Sequence, residues 1–326
     1  MKDGYGRTID YLRISLTDRC NFRCRYCMPP EGVTLSRHQD ILSYEELLRV
    51  ITILGEHGVN KIRLTGGEPL IRKGIVGFVR NIKKIGTITD LSMTTNGSLL
   101  GDMAQELKAA GLDRVNISID TLDEGRFSDI TGQGKLTEVL AGIESALAAN
   151  LTPLKLNVVM TEVLSEADIL YFIDKVQKLP IAVRFIEYMP VGPSGVKPGY
   201  DTLAIKEIIN TVGRGMLEPT TVATGNGPAK YYRLPGAVGV VGFITAMSDH
   251  FCQSCNRMRL TADGKLKPCL LANHEIDIRT ALRGGEGDQV IYELFLQALE
   301  QKPIGHRLGD HGEGADLTRA MFQVGG

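Results

Sequence analysis

The chain has 326 residues, 43% of them hydrophobic and 23% charged, with a formal net charge of −1 and a sequence pI near 6.6. That is ordinary globular composition, long enough for about two domains of roughly 150 residues, and it excludes an overall charge that would draw the chain to nucleic acid or an anionic membrane. The first ten residues, MKDGYGRTID, lack the apolar stretch of a signal peptide. The greasiest run, GAVGVVGFITAM at 236–247, is too short and too glycine-broken to span a bilayer. The expectation is a soluble, cytoplasmic protein with neither nucleic acid nor membrane as partner.

In chain order, the first predicted strand is YLRISL near 11–16, leading straight into a cysteine-rich loop. SYEELLRVITILGEHG follows at 43–58. Its Ser43 and Glu46 have the S-x-x-E spacing of a capping box. Leu47, Val50, Ile51 and Leu54 recur at i, i+3, i+4 and i+7, the stripe of a core-facing helix. Next come the strand KIRLT, a GGEP turn and a helix through IVGFVRNIKKI. Further strands read LSMTT, VNISID, LKLNVVM and IAVRFIEY, separated by helical patterns near 101–110, 135–149 and 165–178, with one more helix near 202–211. Six β/α units predict a parallel sheet, and right-handed crossovers curl it into a partial (β/α)6 TIM-like barrel. After about 211 the rhythm changes to strand-like pieces at 229–234 and 238–244, then HFCQSCNRMRLTADGKLKPCLL and two helical patterns. The expected division is 1–222 for the barrel and 223–326 for a smaller α+β module. GNGPAK at 225–230 is glycine-rich but neither follows a strand nor opens a helix, so it reads as a loop and not as a nucleotide fingerprint.

Buried parallel strands usually read as continuous apolar runs, yet four of these alternate. Arg13 and Ser15 oppose Leu12, Ile14 and Leu16; Lys61 and Arg63 oppose Ile62 and Leu64. Asn116, Ser118 and Asp120 oppose Val115, Ile117 and Ile119; Lys155 and Asn157 oppose Leu154, Leu156 and Val158. Helices must cover the apolar face, so the polar set is expected to line a wet, occupied interior. A solvated edge strand gives the same pattern once; four strands in agreement favour the interior.

The six cysteines fall into two triplets, Cys20/Cys24/Cys27 and Cys252/Cys255/Cys269. In a reducing cytosol such clusters read as metal ligands. The first triplet follows strand one, where an α/β barrel keeps its active site. A [4Fe–4S] cluster normally takes four thiolates, so three leave one iron open to a small chelating molecule. Structural zinc wants four protein ligands: His38 is the nearest candidate for the first triplet, and His250 or His274 for the second. On spacing alone both metals stay open.

The C-x3-C-x2-C spacing with Tyr26 before the last cysteine, together with TGGEP at 65–69, resembles the radical S-adenosylmethionine superfamily. FCQSCNRMRLTADGKLKPC narrows the resemblance to the GTP 3′,8-cyclase family of molybdenum cofactor biosynthesis, over essentially the whole chain including Gly325-Gly326. The resemblance implies two [4Fe–4S] clusters, one on Cys20, Cys24 and Cys27 that cleaves S-adenosylmethionine to a 5′-deoxyadenosyl radical, and an auxiliary one on Cys252, Cys255 and Cys269. It places S-adenosylmethionine contacts on Tyr26, Gly67, Glu68, Ser118 and Met189, with Glu68 holding the amino group. It places GTP contacts on Arg13, Arg63, Thr94, Lys155, Arg257, Met258 and Arg259. The implied reaction removes the ribose 3′ hydrogen and joins C3′ to C8, giving (8S)-3′,8-cyclo-7,8-dihydroguanosine 5′-triphosphate. No residue is assigned a certain catalytic role; Arg257 and Arg259 are the candidates to assist.

Arg13, Arg63, Lys155, Arg257 and Arg259 aimed at one cavity suit a polyphosphate, although a surface salt bridge is the commoner fate of any one of them. The resemblance also implies an external electron donor, hand-off of product to the enzyme forming cyclic pyranopterin monophosphate, and a homodimer. It places the Gly325-Gly326 tail in the active site; a frayed terminus is the plain alternative. The competing functional readings are a peptide-modifying radical enzyme with an auxiliary cluster, and a non-catalytic iron–sulfur or zinc protein.

Overall fold

The computed structural model describes residues 1–28, 33–191, 196–212, 215–221, 225, 227–306 and 317–325. The β/α alternation is β1 (Tyr11–Ser15), α1 (Tyr44–Glu56), β2 (Lys61–Thr65), α2 (Ile75–Lys83), β3 (Asp90–Thr95), α3 (Leu100–Ala109) and β4 (Arg114–Ser118). It continues through α4 (Glu124–Thr131), α5 (Leu136–Ala148), β5 (Leu154–Met160), α6 (Glu166–Lys178), β6 (Ile181–Glu187) and α7 (Thr202–Thr211). The expected capping box is formed: Ser43 Oγ accepts from Glu46 N at 3.1 Å, and Ser43 N donates to Glu46 Oε2 at 2.6 Å. Helix α4 is one the periodicity did not predict; it is short, opened by the Asp123 side chain accepting from Arg126 N.

Strands β1 to β6 run parallel in sequence order. The remaining strands are β7 (Glu218–Thr220), β8 (Lys230–Arg233), β9 (Val240–Ile244), β10 (Arg257–Leu260), β11 (Lys265–Lys267) and β12 (Ile276–Asp277). They join the same sheet at both edges: β10 lies parallel to β1 and β9 parallel to β6. β11 with β12, and β8 with β7, extend those edges antiparallel. The chain beyond 222 thus continues the barrel wall. Helices α8 (Arg279–Arg283), α9 (Asp288–Glu300) and α10 (Met321–Val324) complete it.

The alternation sorts as expected. Leu12, Ile14, Ile62, Leu64, Val115, Ile117, Leu156 and Val158 are fully or nearly fully buried in the core beneath the helices, while Arg13, Arg63, Ser118 and Asn157 line the interior. Lys61 departs from the set: it pairs with Asp10 at 2.5 Å. Register gathers the cations, because Arg259, Arg13 and Arg63 sit side by side on β10, β1 and β2. No helix among the described residues is long and apolar enough to cross a membrane.

Candidate active site

One cavity of about 330 Å³ is lined by both cysteine triplets. The first triplet is held by a tight turn in which Cys27 N and Met28 N both donate to Cys24 O, at 2.9 and 2.8 Å. Cys20 Sγ accepts from Phe22 N at 3.3 Å and Asn96 Nδ2 at 3.8 Å. Burial pushes the Cys20 thiol up to about 11 and Cys27 to about 12, the latter helped by Cys20. Cys24 is raised well above its ordinary value by burial, then by Cys27 and Asp120.

The second triplet is backed by residues 302–306. Lys302 Nζ donates to Arg257 O and Pro268 O, each at 2.7 Å. Arg7, paired with Asp3 at 2.5 Å, donates to Cys252 O at 2.8 Å, Ile304 O at 3.1 Å and Pro303 O at 2.7 Å. Burial pushes the Cys255 thiol up, but the Arg257 and Lys302 cations more than offset it and bring the value to about 7.

The donor chemistry fits clusters better than single ions. Each triplet turns three thiols toward one cavity, and thiolates are the usual protein ligands of iron–sulfur clusters. None of the three histidines weighed for zinc lines the cavity: His38 bonds Arg19 at 3.0 Å, His250 bonds Ala246 O at 2.9 Å, and His274 is exposed; His306, which does line it, bonds Ala246 O through Nε2 at 2.8 Å.

Of the residues assigned to S-adenosylmethionine, Tyr26, Gly67, Ser118 and Met189 line the cavity. A side chain at Gly67 would meet Arg19 O at 2.1 Å, so the wall is bare backbone there. Glu68 sits behind it, 1% exposed, accepting from Leu70 N (3.0 Å), Thr95 Oγ1 (2.7 Å) and Asn96 N (2.7 Å); burial raises it to about 7 despite these bonds. Tyr26 Oη donates to Asp120 Oδ2 at 2.6 Å, and Val159 N donates to Asp120 Oδ1 at 2.9 Å.

Of the residues assigned to GTP, Arg13, Arg63, Thr94, Arg257 and Arg259 line the cavity. Lys155 lies fully buried beside them, and the Met258 side chain is in the apolar core on the opposite strand face. Burial, then Arg184, Arg63 and Arg114, pull Lys155 down to about 6 against the opposing Asp90. Burial, then Arg259, hold Arg13 well below its ordinary value. Arg184 is a cation that the sequence reading did not single out. Its Nε donates to Asn157 Oδ1 at 2.9 Å, and Asn116, in the amide orientation that suits both neighbours, accepts from Arg63 and Arg184. Its signal is a lone cation within the mostly apolar IAVRFIEY. Tyr11, two residues before Arg13 on the same strand face, also lines the cavity, and the Arg63 guanidinium lies 5.6 Å from its ring centroid.

The C-terminal tail enters this space. Arg319 Nε reaches Glu275 at 2.6 Å and its NH2 reaches Asp263 at 2.9 Å. Met321 and Phe322 line the cavity, and the Phe322 N–H donates to Cys27. Gly325 has φ +74, and a Cβ there would meet Thr65 Cγ2 at 2.4 Å; its carbonyl accepts from Arg259. Gly326 lies outside the described residues. Within GNGPAK, Gly227 and Pro228 belong to no strand or helix and line the cavity, and Lys230 opens β8.

A curled parallel sheet with a cysteine loop directly after its first strand defines a radical S-adenosylmethionine protein. The profile of the radical SAM superfamily matches residues 14–176, and that of Molybdenum Cofactor Synthesis C matches 181–308. The crystal structure of Streptococcus suis SuiB bound to S-adenosylmethionine shares the fold, with a TM-score of 0.62 at 16% identity over 88% of this chain and 68% of that chain. The chain is 48% identical to the GTP 3′,8-cyclase of Heliobacterium modesticaldum over 328 residues, and 48% to that of Moorella thermoacetica over 327, covering 100% of each chain in both pairs. It belongs to the GTP 3′,8-cyclase family, whose enzymes act in molybdenum cofactor synthesis with S-adenosylmethionine and two [4Fe–4S] clusters.

Proposed function

We propose that this chain converts GTP to (8S)-3′,8-cyclo-7,8-dihydroguanosine 5′-triphosphate, with Cys20, Cys24 and Cys27 holding the cluster that serves S-adenosylmethionine and Cys252, Cys255 and Cys269 holding the auxiliary one. When bound, these cofactors supply the radical chemistry that removes the ribose 3′ hydrogen. The observation that carries the reading is the crowd of cations in the cavity that both triplets line. Arg13, Arg63, Arg184, Arg257 and Arg259 line it and Lys155 lies beneath. Buried cations in mutual repulsion call for a polyanion, and guanidinium forks match phosphate oxygens.

The chain's own groups then have distinct tasks. Arg13, Arg63, Arg184 and Lys155 bind the triphosphate, with Lys155 Nζ taking up a proton as the anion arrives. Thr94 and the 257–259 strand orient the nucleoside, Met258 through its backbone alone. Tyr26, Gly67, Glu68, Ser118 and Met189 hold S-adenosylmethionine, the Tyr26–Asp120 bond fixing the loop between the cysteines. Residues 321–325 exclude water by filling the space between the Cys27 side and Arg259. We read 1–222 as the part that generates the radical and 223–326 as the part that closes the barrel over GTP. An external electron donor, delivery of product to the enzyme forming cyclic pyranopterin monophosphate, a homodimeric state and a cytoplasmic location belong to the same proposal.

The test is the yield of 5′-deoxyadenosine and cyclised nucleotide from anaerobically reconstituted protein with dithionite and S-adenosylmethionine, comparing GTP, ATP and no nucleotide. Stimulation by GTP alone, with a cyclised product, is expected. Equal slow cleavage in all three would leave the radical class standing and overturn the GTP assignment.

A further inference from the structure

Lys302 presents a charge problem that the cavity chemistry has so far left unsolved. Its side chain follows helix α9 into the protein, where the residue is 4% exposed. The ammonium spends two of its three protons on the carbonyls of Arg257 and Pro268. No carboxylate forms an ion pair with it among the described residues; the contrast is Lys267, equally buried, which is paired with Glu275 at 3.1 Å. A buried ammonium without a counter-ion is costly, and such groups are ordinarily paired or neutralised. Burial holds the Lys302 pKa below its ordinary value and Arg7 adds to this, while the neighbouring Cys255 and Cys269 oppose it, Cys255 also through a hydrogen bond.

The two carbonyls it grips are placed to matter. Arg257 lies two residues beyond Cys255, and Pro268 immediately precedes Cys269. One ammonium therefore ties together the two peptide arms that carry two thiols of the auxiliary triplet, and it also reaches the Cys255 thiol. Three thiolates around a [4Fe–4S] core leave a net negative charge that grows on reduction, and cluster potentials respond to nearby charge and to hydrogen bonds at sulfur. The counter-ion missing from the protein would be supplied by the cluster.

We propose that Lys302 is a positioning residue of the auxiliary centre: its ammonium sets the separation of the Cys255 and Cys269 arms and is the counter-charge of the cluster they hold. This rests on the assignment of a cluster to the second triplet. It goes beyond that assignment in naming the residue that neutralises the cluster and favours its reduced state.

The experiment uses the full chain carrying Cys20→Ala, Cys24→Ala and Cys27→Ala, so that only the second triplet can hold iron. Lys302→Met and Lys302→Arg are made in that parent. Iron and sulfide content, the electron paramagnetic resonance signal of the reduced state, and the midpoint potential by redox titration are the readouts. The expected result is a midpoint shifted to more negative potential in Lys302→Met, an altered signal, and a return close to the parent in Lys302→Arg. Thermal stability adds a second arm, in which Lys302→Met is expected to lose more stability in the loaded chain than in the metal-free one. A Met variant that stays folded but does not load, beside an Arg variant that does, supports the proposal.

Several outcomes would overturn it. An unmoved midpoint and signal in a loaded Lys302→Met chain would do so. Equal stability losses with and without the cluster would show that the lysine only ties carbonyls. Failure of both folded variants to load would show that tethering, and not charge, is what the site needs. A parent chain without iron would overturn the cluster assignment itself, and the counter-charge with it.

Discussion

Cys20, Cys24 and Cys27 are partly buried among neighbours that oppose negative charge, whereas Cys255 of the second triplet is drawn down by Arg257 and Lys302. At the first triplet burial leads, the thiols raise one another, and Glu68 and Asp120 add to the effect; Arg23 gives Cys20 only a minor opposing pull. The two sites share a ligand pattern and face one cavity, yet their surroundings favour different charge states. A cluster in the cation-poor first site would have the lower potential, and one in the cation-rich second site the higher. That ordering would suit the roles proposed for them, electron donation at the first and substrate binding at the second. Local charge, invisible in the cysteine spacing, distinguishes the two sites.

The largest expected effect falls on the cationic side. Lys155→Met or Arg13→Met removes one partner of a buried charge array, a change that typically costs about 2–5 kcal/mol, or about 30- to several-thousand-fold in GTP affinity. Calorimetric titration with GTP checks this, with iron content and S-adenosylmethionine binding expected to stay at wild-type levels. Loss of S-adenosylmethionine binding in the same variants would break the division between the two ends.

A smaller loss is expected at the tail that bridges them. Gly325→Ala places a Cβ against Thr65 in a left-handed conformation, a strain of about 1–3 kcal/mol. The cyclised product should fall about 5- to 150-fold while both clusters assemble. Arg319→Met, which frees the tail from Asp263 and Glu275, should act in the same direction.

The pH dependence of GTP binding sharpens the comparison further. In the free protein Lys155 is held at about 6 by burial and by Arg184, Arg63 and Arg114, so it is mostly neutral at pH 7. A polyanion favours its charged form, so binding takes up a proton, and this contribution weakens as pH rises above about 6, by up to about tenfold per pH unit. Calorimetry in buffers of different ionisation enthalpy should show the uptake in the wild type and its loss in Lys155→Met. Equal uptake in both would remove Lys155 from the triphosphate site.

The smallest effect belongs to a control outside both regions. Ser43→Ala deletes the capping-box acceptor of α1, costing about 1 kcal/mol and about 1–3 °C in melting temperature. Iron content and GTP affinity should not move.

Much of this was legible in the residues. The barrel could be read because β1, β2, β4 and β5 alternate polar with apolar, and period-two alternation fixes which side chains face inward. Arg13, Arg63 and Ser118 follow from that alternation alone, which also puts Lys155 on the same face. Arg184 was hidden because Val183 and Phe185 make its strand read as plainly apolar. The extension of both sheet edges by β9 and β10 could not be read, since strand pairing across such distances leaves no local pattern. Residues 302–306 carry no motif; they matter through where α9 delivers them. The Met258 side chain shows the opposite case, a position carried over with its motif whose side chain points into the core.

The most direct measurement compares three proteins with GTP, S-adenosylmethionine and dithionite: the wild type, the chain with its first triplet changed to alanine, and the chain with its second triplet so changed. The prediction is 5′-deoxyadenosine and cyclised nucleotide from the wild type, neither from the first variant, and 5′-deoxyadenosine without cyclised nucleotide from the second. Cyclised product from the second variant, or 5′-deoxyadenosine from the first, would contradict the separation of roles between the two triplets.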